Sequence, residues 1–346
     1  MNHPVKVLVT GAGGFIGHHL VTYLKGKGYW VRGVDIKLPE FSISDADEFE
    51  LLDMRRWDNC LQATRGIQEV YALAADMGGM GFIQSNHAQI LRNNTLINIH
   101  TLDAAQTNGA QRYLYTSSAC VYPEYLQEET DVKPLKEDDA YPAMPQDAYG
   151  WEKLITERLN MHYREDFGLE TRTVRFHNIF GPQGTWEGGR EKAPAAISRK
   201  VAVAKLTGDR VVEVWGDGEQ TRSFCYIDDC LTGLFKLIRS DYHHPLNLGQ
   251  DRMVSINQLV DMVAEIADYE VEKKHIPGPQ GVRGRNSDNS RLREVLGWEP
   301  AISLEEGMAR TYAWIEQQVK SKLEMEGDAA LDHLVHSQVI NATKAK

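Results

Sequence analysis

Cysteine is scarce in this chain of 346 residues, which contains four. They are Cys60, Cys120, Cys225 and Cys230, and no two of them form a C-x-x-C pair. So sparse and irregular a set excludes a disulfide framework and favours a reducing, cytoplasmic setting. The N-terminal residues also lack the basic start and the small-residue cleavage site of a signal peptide, so we expect no export.

Long hydrophobic runs and an excess of basic residues are also missing. No stretch is apolar for long enough to cross a bilayer, and 38 basic against 49 acidic residues give a net charge of −11. This balance disfavours nucleic acid and acidic membranes as partners. The pairs His18-His19 and His243-His244 cannot each point two rings at one ion, and no spaced ligands complete them, so we expect no metal.

What the chain does contain is an alternation of short β-branched runs with amphipathic stretches. This alternation predicts βαβ units and an α/β fold built on a Rossmann-type, doubly wound parallel sheet. The strands are expected at Val5–Thr10, Trp30–Val34, Val70–Leu73, Arg112–Thr116 and Thr171–Arg175. The helices are expected at Gly14–Gly28, Arg55–Ala63, Ser85–Asn108 and Ala148–Phe167.

A glycine-rich turn, Gly11–Gly17, joins the first predicted strand to the first predicted helix. Such a turn lets the backbone approach a pyrophosphate, which then lies at the helix N-terminus. The residues expected to bind a dinucleotide here are Gly11, Gly14, Phe15, Ile16 and Gly17. Asp35 ends the next strand, where a carboxylate accepts hydrogen bonds from ribose hydroxyls and repels a 2′-phosphate. Asp53 follows a third strand at Phe49–Leu52, where we expect it to lie near the adenine amine. The expected cofactor is therefore NAD.

The pattern changes beyond Asn178, which suggests two lobes and a tail. We expect residues 1–178 to form the NAD-binding Rossmann domain and residues 179–325 to form a smaller mixed α/β lobe that binds mainly substrate. Two later segments, Phe224–Ile227 and Pro245–Leu248, are candidates to return strands to the first domain. After a helix at Leu304–Glu324, the polar tail 326–346 carries no predicted function.

Tyr149 and Lys153 are four residues apart, so they lie on one face of a predicted helix. A nearby ammonium favours the phenolate, and Tyr149 can then take a proton from a hydroxyl while hydride leaves for NAD. Ser118, at the end of a predicted strand, is placed to hydrogen-bond that hydroxyl. Cys120 has two readings that the chemistry alone leaves open, a proton carrier or a small buried hydrophobe.

Together these motifs resemble the extended short-chain dehydrogenase/reductase family, a family of NAD-dependent epimerases and dehydratases. Within it, four segments are similar to the GDP-mannose 3,5-epimerases. These segments are Ala74–Phe82, Ser117–Glu124, Gly188–Pro194 and Gly281–Asp288. The resemblance runs from about Val5 to Trp314, while the short N-terminus and the tail depart from it.

The resemblance implies conversion of GDP-D-mannose to GDP-L-galactose, and also to the C5 epimer GDP-L-gulose. Ser118, Tyr149 and Lys153 would conduct redox at C4, while Cys120 and Lys192 would exchange protons at C3 and C5. Oxidation at C4 makes both neighbouring carbons α to a carbonyl, which is what renders their protons removable. The residues implied to hold the nucleotide sugar are Gly78, Ser118, Asn178, Glu191, Lys192, Lys200, Gln220, Arg222 and Arg283.

Two other classes of function remain to be separated from this one. A nucleotide-sugar 4-epimerase or 4,6-dehydratase shares the NAD and tyrosine machinery, but neither calls for a cysteine at position 120. A non-catalytic NAD-binding sensor or scaffold would be expected to lack Tyr149 or Lys153, and both are present. The resemblance further implies a homodimer formed through the two long helices Ser85–Asn108 and Ala148–Phe167.

Overall fold

A computed structural model describes residues 4–279, 281–327, 331 and 334. Its strands, numbered in chain order, are β1 Lys6–Thr10, β2 Trp30–Asp35, β3 Glu48–Leu51, β4 Glu69–Ala72, β5 Arg112–Ser118, β6 Glu170–Phe176, β7 Ile179–Phe180, β8 Val211–Trp215, β9 Thr221–Ser223, β10 Cys225–Tyr226, β11 Pro245–Leu248, β12 Met253–Ser255, β13 Glu272–Ile276 and β14 Gly284–Arg285. Most of the tail 326–346 lies outside the described residues.

The helices cover both faces of the main sheet and part of the second half of the chain. They are α1 Phe15–Gly26, α2 Trp57–Thr64, α3 Met80–Ser85, α4 His87–Thr107, α5 Ala148–Phe167, α6 Ala193–Thr207, α7 Ile227–Arg239, α8 Ile256–Ala267, α9 Ser290–Leu296 and α10 Leu304–Glu326. None of the helices within the described part of the chain is long and apolar enough to span a membrane.

Seven strands form one parallel sheet in the order β11-β6-β5-β4-β1-β2-β3. Residues alternate between its faces, so Val7 and Val9 of β1 join one buried cluster while Leu8 joins another. Helices pack on both faces, which is why central strands such as β1 and β4 are buried along almost their whole length. The expected α/β fold with a doubly wound parallel sheet is therefore confirmed.

The second half of the chain adds small sheets to this scaffold. β7 pairs with β10, β8 pairs with β13, and β9 lies between β12 and β14. Pro245–Leu248 returns to the main sheet as β11, beside β6. Cys225 and Tyr226 pair instead with β7. The expectation that Phe224–Ile227 joins the main sheet is therefore wrong, because β7 has already left that sheet after the turn at Asn178, whose φ is 49°.

The sheet brings the chemically interesting residues to one edge. The turn at Gly11 follows β1, Asp35 ends β2, Ser118 ends β5 and Asn178 follows β6. All of these strands are parallel, so their carboxyl ends lie side by side and form the rim at which open α/β sheets bind ligands.

The helix α5 presents its functional face towards this rim. Asp147 caps its first turn by accepting a hydrogen bond from Gly150 N at 2.9 Å, and Gly168 ends it with a φ of 70° in the left-handed region that glycine adopts without strain. Tyr149 and Lys153 both lie on its buried side. The spacing of these two residues therefore places phenol and ammonium together, as the sequence predicts.

Candidate active site

The turn Gly11–Gly17 requires glycine at two of its positions. Gly11 has a φ of 73°, and a Cβ on Gly17 would collide with the carbonyl oxygen of Gly11. The N-cap of α1 is Gly14, which offers no side-chain hydrogen bond to the first turn. The backbone N–H groups at this helix end are thus left for an anion such as a pyrophosphate.

Asp35 closes the turn from the next strand. Its carboxylate accepts hydrogen bonds from Gly13 N at 2.9 Å and from Ile36 N at 2.6 Å. Burial raises the pKa of Asp35, and these backbone hydrogen bonds oppose the rise. The glycine turn and the carboxylate fixed beside it fit NAD. The carboxylate can accept hydrogen bonds from ribose hydroxyls, and its charge disfavours a 2′-phosphate.

Asp53 lies just after β3, and its carboxylate is engaged by a neighbour. Arg55 Nε donates to Asp53 Oδ1 at 2.9 Å and Arg55 Nη2 donates to Oδ2 at 2.7 Å. These hydrogen bonds lower the pKa of Asp53. The sequence expectation places Asp53 near the adenine, and a role there would use a carboxylate that is already ionised.

Tyr149, Lys153 and Ser118 meet at the end of β5. Ser118 lies close enough to Tyr149 to oppose the rise in the pKa of the phenol, and Lys153 Nζ lies 5.4 Å from the centre of the Tyr149 ring. Lys153 Nζ also donates to the carbonyl oxygen of Thr116 at 3.0 Å, which fixes its position. The three side chains therefore occupy one place, as a C4 redox centre requires.

Burial controls the resting protonation of this group. It raises the pKa of Tyr149 far above the ordinary value for a phenol, and Ser118 opposes this rise. It also lowers the pKa of Lys153, which the nearby carboxylate of Glu152 opposes from 3.8 Å. Burial in the protein alone therefore favours the phenol form of Tyr149, and the positive charge of oxidised nicotinamide would favour the phenolate.

Cys120 lies two residues beyond Ser118, in the short 3₁₀ turn Ala119–Val121. Its backbone N donates to Ser118 Oγ at 3.2 Å. A Cβ on Gly150 would collide with the carbonyl oxygen of Cys120, so glycine at that position lets the turn pack directly on α5. The thiol is partly exposed and packs against the cluster that contains Tyr149.

Lys192 approaches the same place from a distant part of the chain. It is the N-cap residue of α6, and its carbonyl oxygen accepts from Ala196 N at 2.9 Å. Much of the residue is accessible, yet burial of the ammonium lowers its pKa, as at the bottom of an open cleft. The Cys120 thiol is the first group that opposes this lowering, so the two side chains lie within electrostatic range.

Three residues implied to hold the nucleotide sugar, Glu191, Gly78 and Asn178, make close contacts within the protein. Glu191 forms a buried ion pair with Arg199, with Oε1 and Nη2 separated by 2.9 Å, and its other oxygen accepts from Gly189 N at 2.6 Å. Gly78 precedes α3, where a Cβ would lie 3.0 Å from Phe82 Cβ. Asn178 Nδ2 donates to Ser223 O at 2.8 Å.

Two of the residues implied to hold the nucleotide sugar contact the strand β8. Lys200 Nζ donates to Glu213 O at 2.6 Å, and Gln220 Nε2 donates to Trp215 O at 3.2 Å. Burial lowers the pKa of Lys200 to about 8. Arg283 pairs with Asp217 at 2.9 Å, so binding a diphosphate would require this arginine to share or exchange a partner.

Arg285 is a site residue that reasoning from the sequence missed. Its Nη1 lies 3.4 Å from Cys120 Sγ, and its Nε donates to Gln127 Oε1 at 2.5 Å. In the parallel pair β9–β14, Arg285 is in register with Arg222, whose pKa is lowered to about 9 by burial. Arg285 stands two residues after Arg283 in the same motif, and no sequence signal distinguishes which of the two faces the cysteine.

The arrangement unites a dinucleotide cradle, a buried tyrosine–lysine pair and a thiol–ammonium pair, with two arginines on the cysteine side. Among the described side chains, no group of three His, Cys, Asp or Glu is placed to hold a metal ion. The available chemistry is thus hydride exchange with a bound coenzyme combined with proton transfer by Tyr149, Cys120 and Lys192.

Comparison with known proteins supports this description. The model of the NAD dependent epimerase/dehydratase family matches residues 7–249. A GDP-mannose 3,5-epimerase from Arabidopsis thaliana is 52% identical over 329 residues, which are 94% of this chain and 86% of that protein.

Solved structures of epimerases share the fold. The UDP-glucose 4-epimerase of Thermotoga maritima, solved with UDP-glucose, has a TM-score of 0.80 at 25% identity, and the match covers 91% of this chain and 100% of that chain. The UDP-glucuronic acid 4-epimerase of Bacillus cereus, solved with UDP-glucuronic acid and NAD, has a TM-score of 0.76 at 25% identity with the same two coverages.

Proposed function

Since the chain belongs to the NAD-dependent epimerase/dehydratase family, we propose that it is a GDP-mannose 3,5-epimerase. It converts GDP-D-mannose to GDP-L-galactose, with the C5 epimer GDP-L-gulose as a second product. The observation that carries this proposal is that Cys120 packs against the cluster containing Tyr149, while the backbone just before Lys192 contacts Gly79 beside the same cluster. Epimerisation next to C4 needs such an acid–base pair in addition to the redox residues.

Tyr149, Ser118 and Lys153 handle the proton of the C4 hydroxyl. Gly11–Gly17 and Asp35 would hold NAD, which would supply a hydride acceptor for oxidation of C4 to a ketone and a hydride donor for its reduction. Ser118 hydrogen-bonds and orients the hydroxyl, and Tyr149 removes and later restores the hydroxyl proton. Lys153, fixed on Thr116 O, stabilises the negative charge that develops on the phenol oxygen.

Cys120 and Lys192 act on the carbons beside the ketone. One group removes the proton at C3 or C5 while the other delivers a proton to the opposite face, which inverts that carbon. The lowered pKa of Lys192 makes its ammonium a better acid than an ordinary lysine and its amine easier to form. Because the hydride is returned to C4, the reaction would leave the coenzyme in its starting redox state.

The nucleotide part of the substrate extends from this centre along the second half of the chain. We propose that residues 1–178 bind NAD and residues 179–325 bind mainly substrate. Arg222 and Arg283 supply guanidinium groups for the diphosphate, since such groups bind phosphate oxygens bidentately. The remaining positions proposed to contact the nucleotide sugar are Gly78, Asn178, Glu191, Lys200 and Gln220.

The alternatives make different demands on the same cleft. A 4-epimerase inverts C4 without touching C3 or C5, so Cys120 and Lys192 would have no work to do. A 4,6-dehydratase is expected to carry an Asp-Glu pair after the strand-end serine, where this chain has Ala119 and Cys120. A non-catalytic NAD-binding scaffold would not need the buried Tyr149–Lys153 pair.

Product analysis over a panel of sugars tests the proposal. Purified protein with NAD is incubated separately with GDP-mannose, UDP-glucose and a thymidine diphosphate hexose, and the products are identified by NMR. We expect GDP-L-galactose and GDP-L-gulose from GDP-mannose and no product from the other two. Inversion at C4 of any sugar, or elimination of water, would overturn the assignment in favour of the rival enzymes.

We also propose that the protein is a cytoplasmic homodimer. Large apolar side chains are exposed on the two long helices that lie side by side, namely Leu91 and Ile99 on α4 and Trp151 and Ile155 on α5. Burying such a face against a second copy would form a four-helix interface. The four cysteines are free, which supports a reducing compartment, and light scattering of the purified protein measures the assembly state.

A further inference from the structure

The loop that carries Lys192 is clamped against a turn from the first half of the chain. Gly79 N donates to Arg190 O at 3.0 Å. A Cβ on Gly79 would lie 2.7 Å from the carbonyl oxygen of Glu191, so the two backbones are in direct contact at this glycine. The turn at Gly79 and the loop Gly188–Lys192 are more than a hundred residues apart in sequence, and this contact joins them.

The Arg190 side chain reinforces the backbone contact. Its guanidinium carbon lies 3.9 Å from the centre of the Phe82 ring, within the range of a cation–π interaction. Its Nη1 lies 3.8 Å from Asp76 Oδ1. Arg190 therefore lies across the turn, in contact with a residue on each side of Gly79.

The turn is in its own right fixed to the scaffold. Asp76 N donates to Asn94 Oδ1 at 2.6 Å, and Asn93 Nδ2 donates to Asp76 Oδ2 at 3.0 Å. Both asparagines belong to α4 and are buried. Phe82 is buried in a cluster that also contains Tyr149. Arg190 thus contacts one residue that is hydrogen-bonded to α4 and another that packs in the same cluster as Tyr149.

On its other side the loop is held by Glu191, whose buried pair with Arg199 ties it to α6. Lys192 follows immediately and caps that helix. We propose that Arg190 is a positioning residue: through Phe82 and Asp76 it fixes the distance between Lys192 and the Cys120–Tyr149 side of the cleft. This inference rests on the proposed function, since it assigns Arg190 a role in proton exchange at C3 and C5.

We expect Arg190 to affect the position of Lys192 more than the stability of the folded protein. Its side chain is 43% exposed and its separation from Asp76 is long, and ion pairs of this kind stabilise folded proteins little. Proton transfer, by contrast, requires donor and acceptor within hydrogen-bond reach, and a displacement of about 1 Å can cost on the order of a hundredfold in rate. Hydride exchange at C4 does not depend on Lys192.

The test separates these two steps in Arg190→Ala. Variant and wild-type proteins, both with NAD, turn over GDP-mannose in deuterium oxide, and mass spectrometry measures deuterium at C3 and C5. A single-turnover absorbance measurement of reduced coenzyme follows the C4 step. We expect deuterium exchange to fall about tenfold or more while the C4 step and the KM for GDP-mannose change by less than about twofold, with the melting temperature nearly unchanged.

Two matched variants complete the design. Arg190→Lys keeps a positive charge that reaches Asp76 and the Phe82 ring, so we expect it to restore much of the exchange. Arg210→Ala removes an exposed arginine that pairs with Glu270 at 3.1 Å elsewhere on the protein, and we expect wild-type exchange from it.

Three outcomes would overturn the positioning role. These are wild-type exchange in Arg190→Ala, an equal loss of exchange and of the C4 step, and a rise in KM with exchange per C4 oxidation unchanged. The last result would mean that Arg190 binds substrate directly. Absence of exchange in the wild-type protein would instead reject the proposed function, so the two failures are distinguishable.

Discussion

The coenzyme region and the proton-exchange region of this cleft are assembled in different ways. The coenzyme region is local, because the turn Gly11–Gly17 and Asp35 belong to one β1–α1–β2 unit. The proton-exchange region is not, because Cys120, Lys192 and Arg285 come from three segments brought together by long-range packing. The function of a local unit can be predicted from a short sequence motif, whereas the contacts of a distributed site become known only with the fold.

The two regions also differ in how they tolerate change. In the coenzyme region the groups offered to the coenzyme are mainly backbone N–H groups, with Asp35 as the main side chain. In the proton-exchange region each role depends on one side chain in one position. We therefore expect conservative replacement of a functional side chain to abolish function in the second region and, at Asp35, to weaken it in the first.

The largest expected effect is that of Cys120→Ser. A hydroxyl is far less acidic than a thiol, so it cannot serve as the proton carrier near neutral pH. We expect exchange of deuterium at C3 and C5 to be lost, while calorimetric titration gives an unchanged affinity for NAD. Full exchange in this variant would contradict the role of Cys120, and a parallel loss of NAD binding would contradict the separation of the two regions.

A smaller effect is expected for Asp35→Asn. The amide keeps the shape of the side chain but loses the charge that strengthens hydrogen bonds to ribose hydroxyls. We expect the Kd for NAD to rise about tenfold, equivalent to about 1.4 kcal/mol, and epimerisation to recover at high NAD.

The control for that substitution is Asp261→Asn, which removes an exposed carboxylate paired with Lys273 in the second half of the chain. It should leave the affinity for NAD unchanged. If high NAD fails to rescue Asp35→Asn, the carboxylate has a part in the chemistry as well as in binding, and the contrast between the regions weakens.

The fold was largely predictable because its strands and helices follow simple periodicities. Ala148–Phe167 is a helix over the predicted range, since Asp147 and Gly168 mark its two ends. The short helix α3 at Met80–Ser85 escaped prediction because six residues that follow two glycines are too few to show a clear period. The error at Phe224–Ile227 arose because an apolar run indicates a strand but not which sheet it joins.

The identities of most candidate site residues could be predicted from the sequence, but their contacts could not. Residue types and spacing identified Tyr149 and Lys153, while the family resemblance supplied Lys192 and the proton-exchange role of Cys120. Arg285 escaped because the fold decides which arginine of the motif faces the thiol. The contact of Arg190 with Phe82 and Asp76 escaped for the same reason, since it joins segments that are far apart in sequence.

The central claim is that a ketone made transiently at C4 lets its two neighbouring carbons exchange protons. Its most direct test is turnover of GDP-mannose labelled with deuterium at C4 in ordinary water, paired with unlabelled substrate in deuterium oxide. The account predicts that the C4 label stays on the sugar while C3 and C5 acquire solvent deuterium. Inversion confined to C4, with no solvent deuterium at C3 or C5, would contradict it.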